Sequence, residues 1–279
     1  MAKVWLITGS SRGFGRALAT AAAEDGDRVL ATARRPEDLD DLVTRFGERI
    51  RTAALDVTDP AAARAAVQAA ADAFGTLDVV VNNAGYATAS AIEETADDDF
   101  RAQVEANLFG AITVTKAALP ILRRQRSGHF IQFSSIGGRV GGTPGLAAYQ
   151  TAKWGLEGFS EVLAAEVKPF GIKVTIVEPG GFRTDWAGSS MRVPPVGEDY
   201  EPTVGRMNRD IAASSGHQPG DPARAARIIT RIANLGCPPL RLLLGAGAVA
   251  SAAEASRARA AEAQQWADVS RSADFPGQE

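Results

Sequence analysis

The sequence predicts an α/β fold built on a parallel β-sheet. Two observations support this fold: short aliphatic and β-branched runs alternate with longer helical patterns, and most of the short runs are apolar throughout. The strand-like runs lie at residues 3–8, 28–33, 51–57, 77–84, 129–135 and 173–180. Strands buried on both faces and separated by helices imply a sheet covered on both sides. We therefore predict a doubly wound, Rossmann-like single domain whose ligand crevice lies at the carboxyl ends of the strands.

The segments between these strands have the length and period of helices. They cover residues 15–26, 59–75, 97–125 and 147–171, and three of them end at a glycine, as helix C-termini prefer. From residue 185 to about 219 the chain is rich in Gly, Pro, Ser and Met, which predicts a long loop with one short helix. A capped helix at 221–236 and a last strand at 239–245 follow. We expect one domain over residues 1–249, with the loop at 185–220, and a C-terminal helix and tail at 250–279.

Composition excludes several classes of function. The net charge of −3 and the pI near 5.6 give no general electrostatic reason to bind nucleic acid or an anionic membrane. A single cysteine, Cys237, permits no disulfide within the chain, and His129 and His217 lie far apart, so we expect no metal site. The chain runs from Met1 directly into a strand-like segment and has no apolar run of about 18 residues. We therefore expect a cytoplasmic protein with no membrane partner.

A glycine-rich turn follows the first predicted strand. It reads "TGSSRGFG" at residues 8–15, with Gly9, Gly13 and Gly15 placed where the strand passes into a helix. Glycine permits a sharp turn there and lets backbone N–H groups approach a pyrophosphate at the positive end of the helix. The spacing G-x-x-x-G-x-G differs from the G-x-G-x-x-G of most dinucleotide-binding folds. The position of the turn nevertheless predicts a bound dinucleotide.

A tyrosine and a lysine lie four residues apart in "AAYQTAKW", residues 147–154. Because four residues slightly exceed one helical turn, Tyr149 and Lys153 share a helix face and their tips can approach the same point. One interpretation is a half-buried tyrosine with a lysine extending to solvent beside it. The other is a functional pair that exchanges a proton.

The motifs of one enzyme family occur in order along the chain. They are "TGSSRGFG" (8–15), "LDV" (55–57), "NNAG" (82–85), Asn107 in "VEANLFG", "SS" (134–135), "YQTAK" (149–153) and "PGGFRT" (179–184). From residue 3 to about 245 the chain resembles a short-chain dehydrogenase/reductase of the compact, single-domain kind. The resemblance implies an enzyme that interconverts a ketone or aldehyde and an alcohol by hydride transfer with a nicotinamide cofactor.

The resemblance implies roles for four polar residues. Tyr149 would be the general acid/base, and Lys153 would bind the nicotinamide ribose and, with the oxidised nicotinamide, lower the Tyr149 pKa from near 10 toward 7. Ser135 would hold the substrate oxygen, although it lies one residue farther from Tyr149 than is usual in the family, so Ser134 remains an alternative. Asn107 would complete a proton relay by holding a water near Lys153.

The resemblance also implies a set of cofactor contacts. Asp56 and Val57 would contact the adenine, whereas "NNAG" either lines the adenosine ribose or ties neighbouring strand ends together, and both interpretations can hold at once. The predicted cofactor-binding residues are Gly9, Ser11, Arg12, Gly13, Phe14, Gly15, Arg34, Arg35, Asp56, Val57, Asn83, Ala84, Gly85, Asn107, Tyr149, Lys153, Pro179, Gly180, Phe182 and Thr184.

The end of the second strand predicts which dinucleotide binds. Folds that prefer NAD carry an acidic residue there for the ribose 2′-hydroxyl, whereas this chain has Ala33 followed by Arg34 and Arg35. Arg12, in the glycine turn, can reach the same place, and guanidinium groups suit a 2′-phosphate. We predict NADP(H) rather than NAD(H). The alternative is that Arg34 and Arg35 face solvent before a helix that Pro36 begins.

Two classes of function remain open at this point. The first is an NADPH-dependent carbonyl reductase, or equally an alcohol dehydrogenase, and the second is a non-catalytic NADP(H)-binding regulatory protein. Trp186, Met191, Val193 and Met207 in the substrate loop are expected to form an apolar pocket wall, which favours a medium-sized apolar ketone or alcohol. The resemblance implies a homodimer or homotetramer that pairs through helices at about 99–123 and 147–169. A monomer with its tail folded over that surface is the alternative.

Overall fold

The computed structural model describes residues 2–188 and 190–275. Its described residues form nine strands: β1 Val4–Ile7, β2 Arg28–Ala33, β3 Ile50–Ala54, β4 Val79–Asn82, β5 Ala87–Thr88, β6 Gly128–Phe133, β7 Ile172–Pro179, β8 Met191–Arg192 and β9 Arg241–Leu244. Seven of these strands make one sheet in the order β3-β2-β1-β4-β6-β7-β9, and every neighbouring pair is parallel. The parallel, doubly wound α/β sheet predicted from the sequence is confirmed.

Helices cover both faces of this sheet. The α-helices of the described chain are α1 Gly13–Glu24, α2 Asp40–Phe46, α3 Pro60–Phe74, α4 Asp97–Val104, α5 Gly110–Gln125, α6 Ala147–Val167, α7 Arg206–Ser214, α8 Pro222–Ala233, α9 Ala246–Gln265 and α10 Ala267–Arg271. Within residues 2–188 and 190–275, none of them combines the length and the apolar character needed to cross a membrane. Residues 276–279 of the predicted tail lie outside the described residues.

The interior contains two apolar cores, one on each face of the sheet, and the side chains of β1 alternate between them. Trp5 and Ile7 point to the core beneath α1, α2 and α8, whereas Val4 and Leu6 point to the core beneath α3, α5 and α6. Successive side chains of a strand point to opposite faces of its sheet, so an all-apolar strand requires helices on both sides. This requirement explains why the central strands read as continuous apolar runs.

Short polar signals set the ends of the helices. The Asp59 carboxylate accepts hydrogen bonds from the N–H groups of Ala61 (2.7 Å) and Ala62 (3.2 Å), Pro60 occupies the first turn of α3, and Gly75 ends the helix in the left-handed region. The Asp221 carboxylate caps α8 in the same way, as its sequence predicted.

The order of the strands reverses at the centre of the sheet. From β1 the chain adds β2 and β3 on one side, and β4, β6, β7 and β9 on the other. The two windings diverge between β1 and β4, so a crevice opens beyond the carboxyl ends of these strands. All of the predicted motifs that follow β1, β4, β6 and β7 therefore meet at one edge of the sheet.

Two segments differ from their sequence-based description. The helix expected over 97–125 is interrupted by one π-helical turn at Glu105–Phe109, which separates α4 from α5. The loop expected at 185–220 contains α7 and also a two-residue strand, β8, that pairs in parallel with β5. This small sheet joins the substrate loop to the segment that follows β4.

One buried histidine lies at the opposite end of the sheet from the crevice. His129, in β6, is 3% exposed, and its Nε2 lies 2.9 Å from Thr175 Oγ1. Its Nδ1 has no hydrogen-bond partner in the part of the chain that the structure describes. Burial, with Lys173 and Lys3 nearby, lowers the pKa of His129 to about 3. His129 is therefore neutral in the folded protein.

We predict that His129 makes the fold sensitive to acid. The unfolded chain binds a proton at this histidine near pH 6.5, whereas the folded chain does not until about pH 3, so the free energy of unfolding falls as pH decreases through this window. The contribution reaches about 1.4 kcal/mol per pH unit. The free energy of unfolding, measured with urea at pH 7 and at pH 5, should decrease less between these two pH values in His129→Gln than in wild type. His217→Gln, which changes the exposed histidine, is the control and should lose as much as wild type.

Candidate active site

A cavity of about 990 Å³ opens at the carboxyl ends of the strands. All but two of the predicted site residues line it. The exceptions are Gly15, which packs beneath the glycine turn, and Arg35, which pairs with Asp38 on the surface. One cavity therefore brings together motifs that are up to about 175 residues apart in the chain.

The glycine turn is bound to the end of β4. The side-chain amide of Asn83 donates to the carbonyls of Thr8 (2.9 Å) and Gly9 (3.0 Å), and Thr8 Oγ1 accepts from the N–H groups of Asn83 (2.9 Å) and Ala84 (3.1 Å). A Cβ on Gly15 would lie 2.3 Å from the Gly9 carbonyl oxygen, so only glycine fits there. Asn83 thus ties strand ends together, as one interpretation of "NNAG" predicted, and it also lines the cavity.

The residues around this turn fit a dinucleotide phosphate. Gly13 and Phe14 begin α1 and line the cavity, and the described structure shows no side-chain cap on this helix N-terminus. A helix N-terminus without a cap has N–H groups to donate to an anion. The glycine turn, the N-terminus of α1 and the neighbouring arginines together offer hydrogen-bond donors that suit the phosphates of a dinucleotide.

The two arginines after β2 occupy different environments. Arg34 lines the cavity and helps to lower the pKa of Asp56, which is held down first by hydrogen bonds from Thr58. Arg35 instead pairs with Asp38 at 3.1 Å on the surface, with 72% of its side chain exposed. Both residues are exposed to solvent, and of the two Arg34 alone also lines the cavity.

Tyr149 and Lys153 are both buried on one face of α6. They are 8% and 5% exposed, and the Lys153 ammonium lies 5.7 Å from the centroid of the Tyr149 ring. Lys153 Nζ donates to the Phe133 carbonyl at the end of β6, at 2.7 Å. A lysine that extended to solvent would leave its ammonium exposed, so that interpretation of the pair is wrong.

The structure brings Ser135, rather than Ser134, to the tyrosine. The Ser135 side chain hydrogen-bonds Tyr149, and its Oγ also accepts from the Gly137 N–H at 3.0 Å. Ser134 points the other way and donates to Glu157 Oε1 at 2.7 Å. The extra residue before Tyr149 is accommodated in the glycine-rich loop after β6.

Burial controls the charge states of this pair. Burial raises the pKa of Tyr149 to about 12, and the hydrogen bond from Ser135 opposes that rise. Burial also lowers the pKa of Lys153 to about 8, and Glu157 opposes that fall. The sequence predicted that Lys153 and an oxidised nicotinamide together would bring the Tyr149 pKa toward 7, whereas in the protein alone burial dominates and raises that pKa. Tyr149 is therefore a neutral phenol near pH 7, the form that can donate a proton.

Asn107 lies in the π-helical turn and faces the same cavity. Its side-chain amide donates to the carbonyls of Gln103 (2.8 Å) and Tyr86 (2.9 Å), while its buried Oδ1 has no partner among the described residues. A Cβ on Gly85 would lie 2.4 Å from that oxygen and 3.9 Å from Lys153 Nζ. Gly85 therefore leaves room for Asn107 and Lys153 to face one point, which suits a bridging water.

Comparison with known proteins decides the family. A family model described as short chain dehydrogenase matches residues 3–192. The chain belongs to the short-chain dehydrogenase/reductase family. An oxidoreductase named BOA17 from Botryotinia fuckeliana is 54% identical over 271 residues, which cover 97% of this chain and 98% of that protein.

Two solved structures of dehydrogenases are similar over most of the chain. A short-chain dehydrogenase from Streptomyces avermitilis matches with a TM-score of 0.92 and 43% identity, covering 99% of this chain and all of the other. An alcohol dehydrogenase from the archaeon Thermococcus sibiricus, complexed with 5-hydroxy-NADP, matches with a TM-score of 0.72 and 25% identity. The match covers 88% of this chain and 96% of the other. The family relationship establishes an oxidoreductase that uses a nicotinamide cofactor.

The substrate side of this dehydrogenase/reductase is mainly apolar. The Trp186 ring lies 5.5 Å from the Tyr149 ring, and Met191 and Met207 also line the cavity, as predicted. The prediction for Val193 is wrong, because it is 52% exposed and does not line the cavity, whereas Met191, two residues earlier, does. The pairing of β8 with β5 turns Met191 inward.

Sequence reasoning missed several cavity residues, among them two apolar side chains and one ion pair. Leu146 and Ile211 add apolar surface, and the ion pair between Arg192 and Asp99, at 3.2 Å, lies at the cavity wall. Leu146 lies three residues before Tyr149, so helical spacing alone could have placed it beside the tyrosine. The Arg192–Asp99 pair depends on the β5–β8 sheet, for which two-residue strands give no sequence signal.

Proposed function

We propose that this protein is an NADP(H)-dependent oxidoreductase that interconverts a ketone or aldehyde and an alcohol, with Tyr149 as general acid/base. One observation carries the proposal: a neutral, buried tyrosine hydroxyl hydrogen-bonded to Ser135 lies beside a buried lysine in the cavity that holds the glycine turn. A non-catalytic NADP(H)-binding regulatory protein is the alternative. Nothing about dinucleotide binding alone requires a buried Tyr and Lys, with a Ser beside them, at the far end of the cavity.

Each of four side chains has a distinct role in the proposed carbonyl reduction. When bound, the cofactor supplies the hydride. Ser135 and Tyr149 hold the carbonyl oxygen by hydrogen bonds, and Tyr149 donates its proton as negative charge develops on that oxygen. The Lys153 ammonium then stabilises the phenolate that remains. Asn107 Oδ1 accepts a hydrogen bond from a water that returns a proton toward Lys153. In alcohol oxidation the same proton moves in the reverse direction.

The preference for NADP(H) over NAD(H) rests on the end of β2. Ala33 is buried where a carboxylate would meet a ribose 2′-hydroxyl, and Arg34 lines the cavity beside it. A guanidinium there attracts a 2′-phosphate, and no acidic side chain at position 33 repels it. The 5-hydroxy-NADP bound to the Thermococcus sibiricus relative supports the same assignment.

The proposed substrate is a medium-sized apolar carbonyl compound or alcohol. Trp186, Met191 and Leu146 surround the Tyr149 side of the cavity, so an apolar substituent would be desolvated there.

A homodimer or homotetramer is also part of the proposal. Phe109 and Val162 are exposed near the α5 and α6 surfaces, whereas the Arg259 guanidinium of α9 lies 5.0 Å from the Trp154 ring and covers part of α6.

Tyr149→Phe should lose carbonyl reduction while keeping cofactor affinity. Removal of the hydroxyl deletes the proton donor, and general acid catalysis contributes about 10²–10⁴-fold. The measurement is NADPH consumption with a panel of apolar ketones and aldehydes, alongside NADPH binding by fluorescence. Tyr200→Phe, which changes a tyrosine outside the cavity, is the control and should keep full activity. A Tyr149→Phe protein as active as wild type would refute the mechanism. A wild type that binds NADPH but turns over no carbonyl would favour the regulatory alternative.

Arg34→Asp should shift the cofactor preference toward NADH. Loss of a charge-assisted bond to phosphate, and its replacement by a carboxylate, should lower NADPH affinity relative to NADH about tenfold or more. Arg35→Asp is the matched control, because it makes the same charge change one residue away and outside the cavity. The dissociation constants of both cofactors should be measured for each variant. Equal effects of the two substitutions would contradict the assignment.

A further inference from the structure

A buried carboxylate lies one helical turn beyond the lysine. Glu157, on α6, is 4% exposed and follows Lys153 by four residues, so the two side chains share a helix face. Its Oε1 accepts from the Ser134 hydroxyl at 2.7 Å, and its Oε2 pairs with the Arg241 guanidinium of β9. A buried charge without partners is strongly unfavourable, so these contacts show that the fold has a defined place for Glu157.

Glu157 belongs to a network that lies behind the candidate active site. Arg241 also pairs with Glu178 (2.7 Å) and Glu161 (2.7 Å), and the fully buried Glu178 pairs with Arg139 (3.3 Å). The three glutamates exceed the two arginines by one negative charge. The Glu161 side chain is 54% exposed and therefore solvated, so the buried carboxylates of the network are those of Glu157 and Glu178.

The turn after β6 packs this network against the lysine. A Cβ on Gly138 would lie 2.5 Å from Ser134 Oγ, 3.0 Å from Glu157 Oε1 and 3.0 Å from Lys153 Cβ. The absence of a side chain at Gly138 therefore lets the serine, the carboxylate and the lysine stem pack closely. In this arrangement Ser134, although it does not face Tyr149, orients the carboxylate.

Glu157 acts against the effect of burial on Lys153. Burial lowers the pKa of Lys153 to about 8, and the charge on Glu157 raises it. The other ionisable groups near this pair are Tyr149 on α6, which is neutral, Glu178 on β7, Arg241 on β9 and Arg139 after β6. If the pKa of Lys153 fell from about 8 by one further unit, about half of the lysine would be uncharged at pH 7, and a fall of about two units would leave most of it uncharged.

We propose that Glu157 is a positioning residue that, oriented by Ser134 and Arg241, keeps the Lys153 ammonium charged beside Tyr149. The inference rests on the proposed function, because it assigns Glu157 a role in the carbonyl reduction carried out by Tyr149 and Lys153. It also gives Ser134 a function distinct from that of Ser135.

The test compares the pH dependence of two neutral variants on the same helix. In Glu157→Gln the alkaline limb of kcat/KM for reduction should move about one pH unit lower, which makes the loss about fivefold at pH 8 and small at pH 6. Glu161→Gln is the matched control, because Glu161 also bonds Arg241 but lies one turn farther from Lys153. Its alkaline limb should stay at the wild-type pH. A Glu157→Gln protein whose activity falls equally at every pH, or whose limb matches that of Glu161→Gln, would overturn the inference.

A second variant and a second measurement keep the test independent of folding and of turnover. Ser134→Ala removes the hydroxyl that holds Glu157 and should move the alkaline limb in the same direction by less than Glu157→Gln does. If the alkaline limb of kcat/KM in Ser134→Ala stays at the wild-type pH, the proposal is contradicted. Carbon-13 NMR titration of the labelled lysines, with Lys153 assigned by Lys153→Arg, should show a lower Lys153 midpoint in both Ser134→Ala and Glu157→Gln. This readout needs no turnover, so it distinguishes a failure of the proposed function from a failure of this inference.

Discussion

The hydrogen bond from the Lys153 ammonium to the Phe133 carbonyl joins α6 to the end of β6, and the candidate site is arranged around it. Burial of an ammonium is costly unless nearby groups offset the loss of water. The carbonyl, the carboxylate of Glu157 and the network beyond it provide that offset. Because Tyr149 is on the same rigid helix, holding Lys153 in place also holds the tyrosine hydroxyl toward the cavity.

A second constraint acts at the other end of the cavity, where the cofactor is expected. The Asn83 side chain fastens the glycine turn to the end of β4, and the Gly15 position tolerates no Cβ. Both constraints operate at the carboxyl ends of parallel strands, where the backbone groups of the last residues are not used by the sheet. The fold therefore places the glycine turn and the Tyr149 hydroxyl in one cavity at the carboxyl ends of the strands.

Much of this arrangement could be predicted from the sequence because it depends on local signals. Strand and helix order follows from apolar periodicity, the glycine turn from its position after β1, and the shared face of Tyr149 and Lys153 from helical spacing. Other features depend on contacts between distant segments. Ser135 could not be chosen over Ser134 until the path of the glycine-rich loop was known, and Arg34 could not be separated from Arg35 until Asp38 was seen to pair with the latter.

The charge states show most clearly where sequence reasoning reaches its limit. The spacing of Tyr149 and Lys153 suggests an electrostatic lowering of the tyrosine pKa, but the degree of burial, which reverses the direction in the protein alone, is a property of the packed structure. The same burial keeps Tyr149 protonated at neutral pH. It also makes Lys153 depend on a carboxylate, Glu157, that no sequence motif singled out.

The central claim is that burial keeps Tyr149 protonated in the cofactor-free protein, and the ultraviolet absorbance of phenolate during a pH titration tests it most directly. The chain has only three tyrosines, so the comparison of wild type with Tyr149→Phe isolates one group. With a Tyr149 pKa of about 12, the two titrations should coincide up to about pH 10. A phenolate that forms near neutral pH in wild type and is missing in Tyr149→Phe would contradict the account.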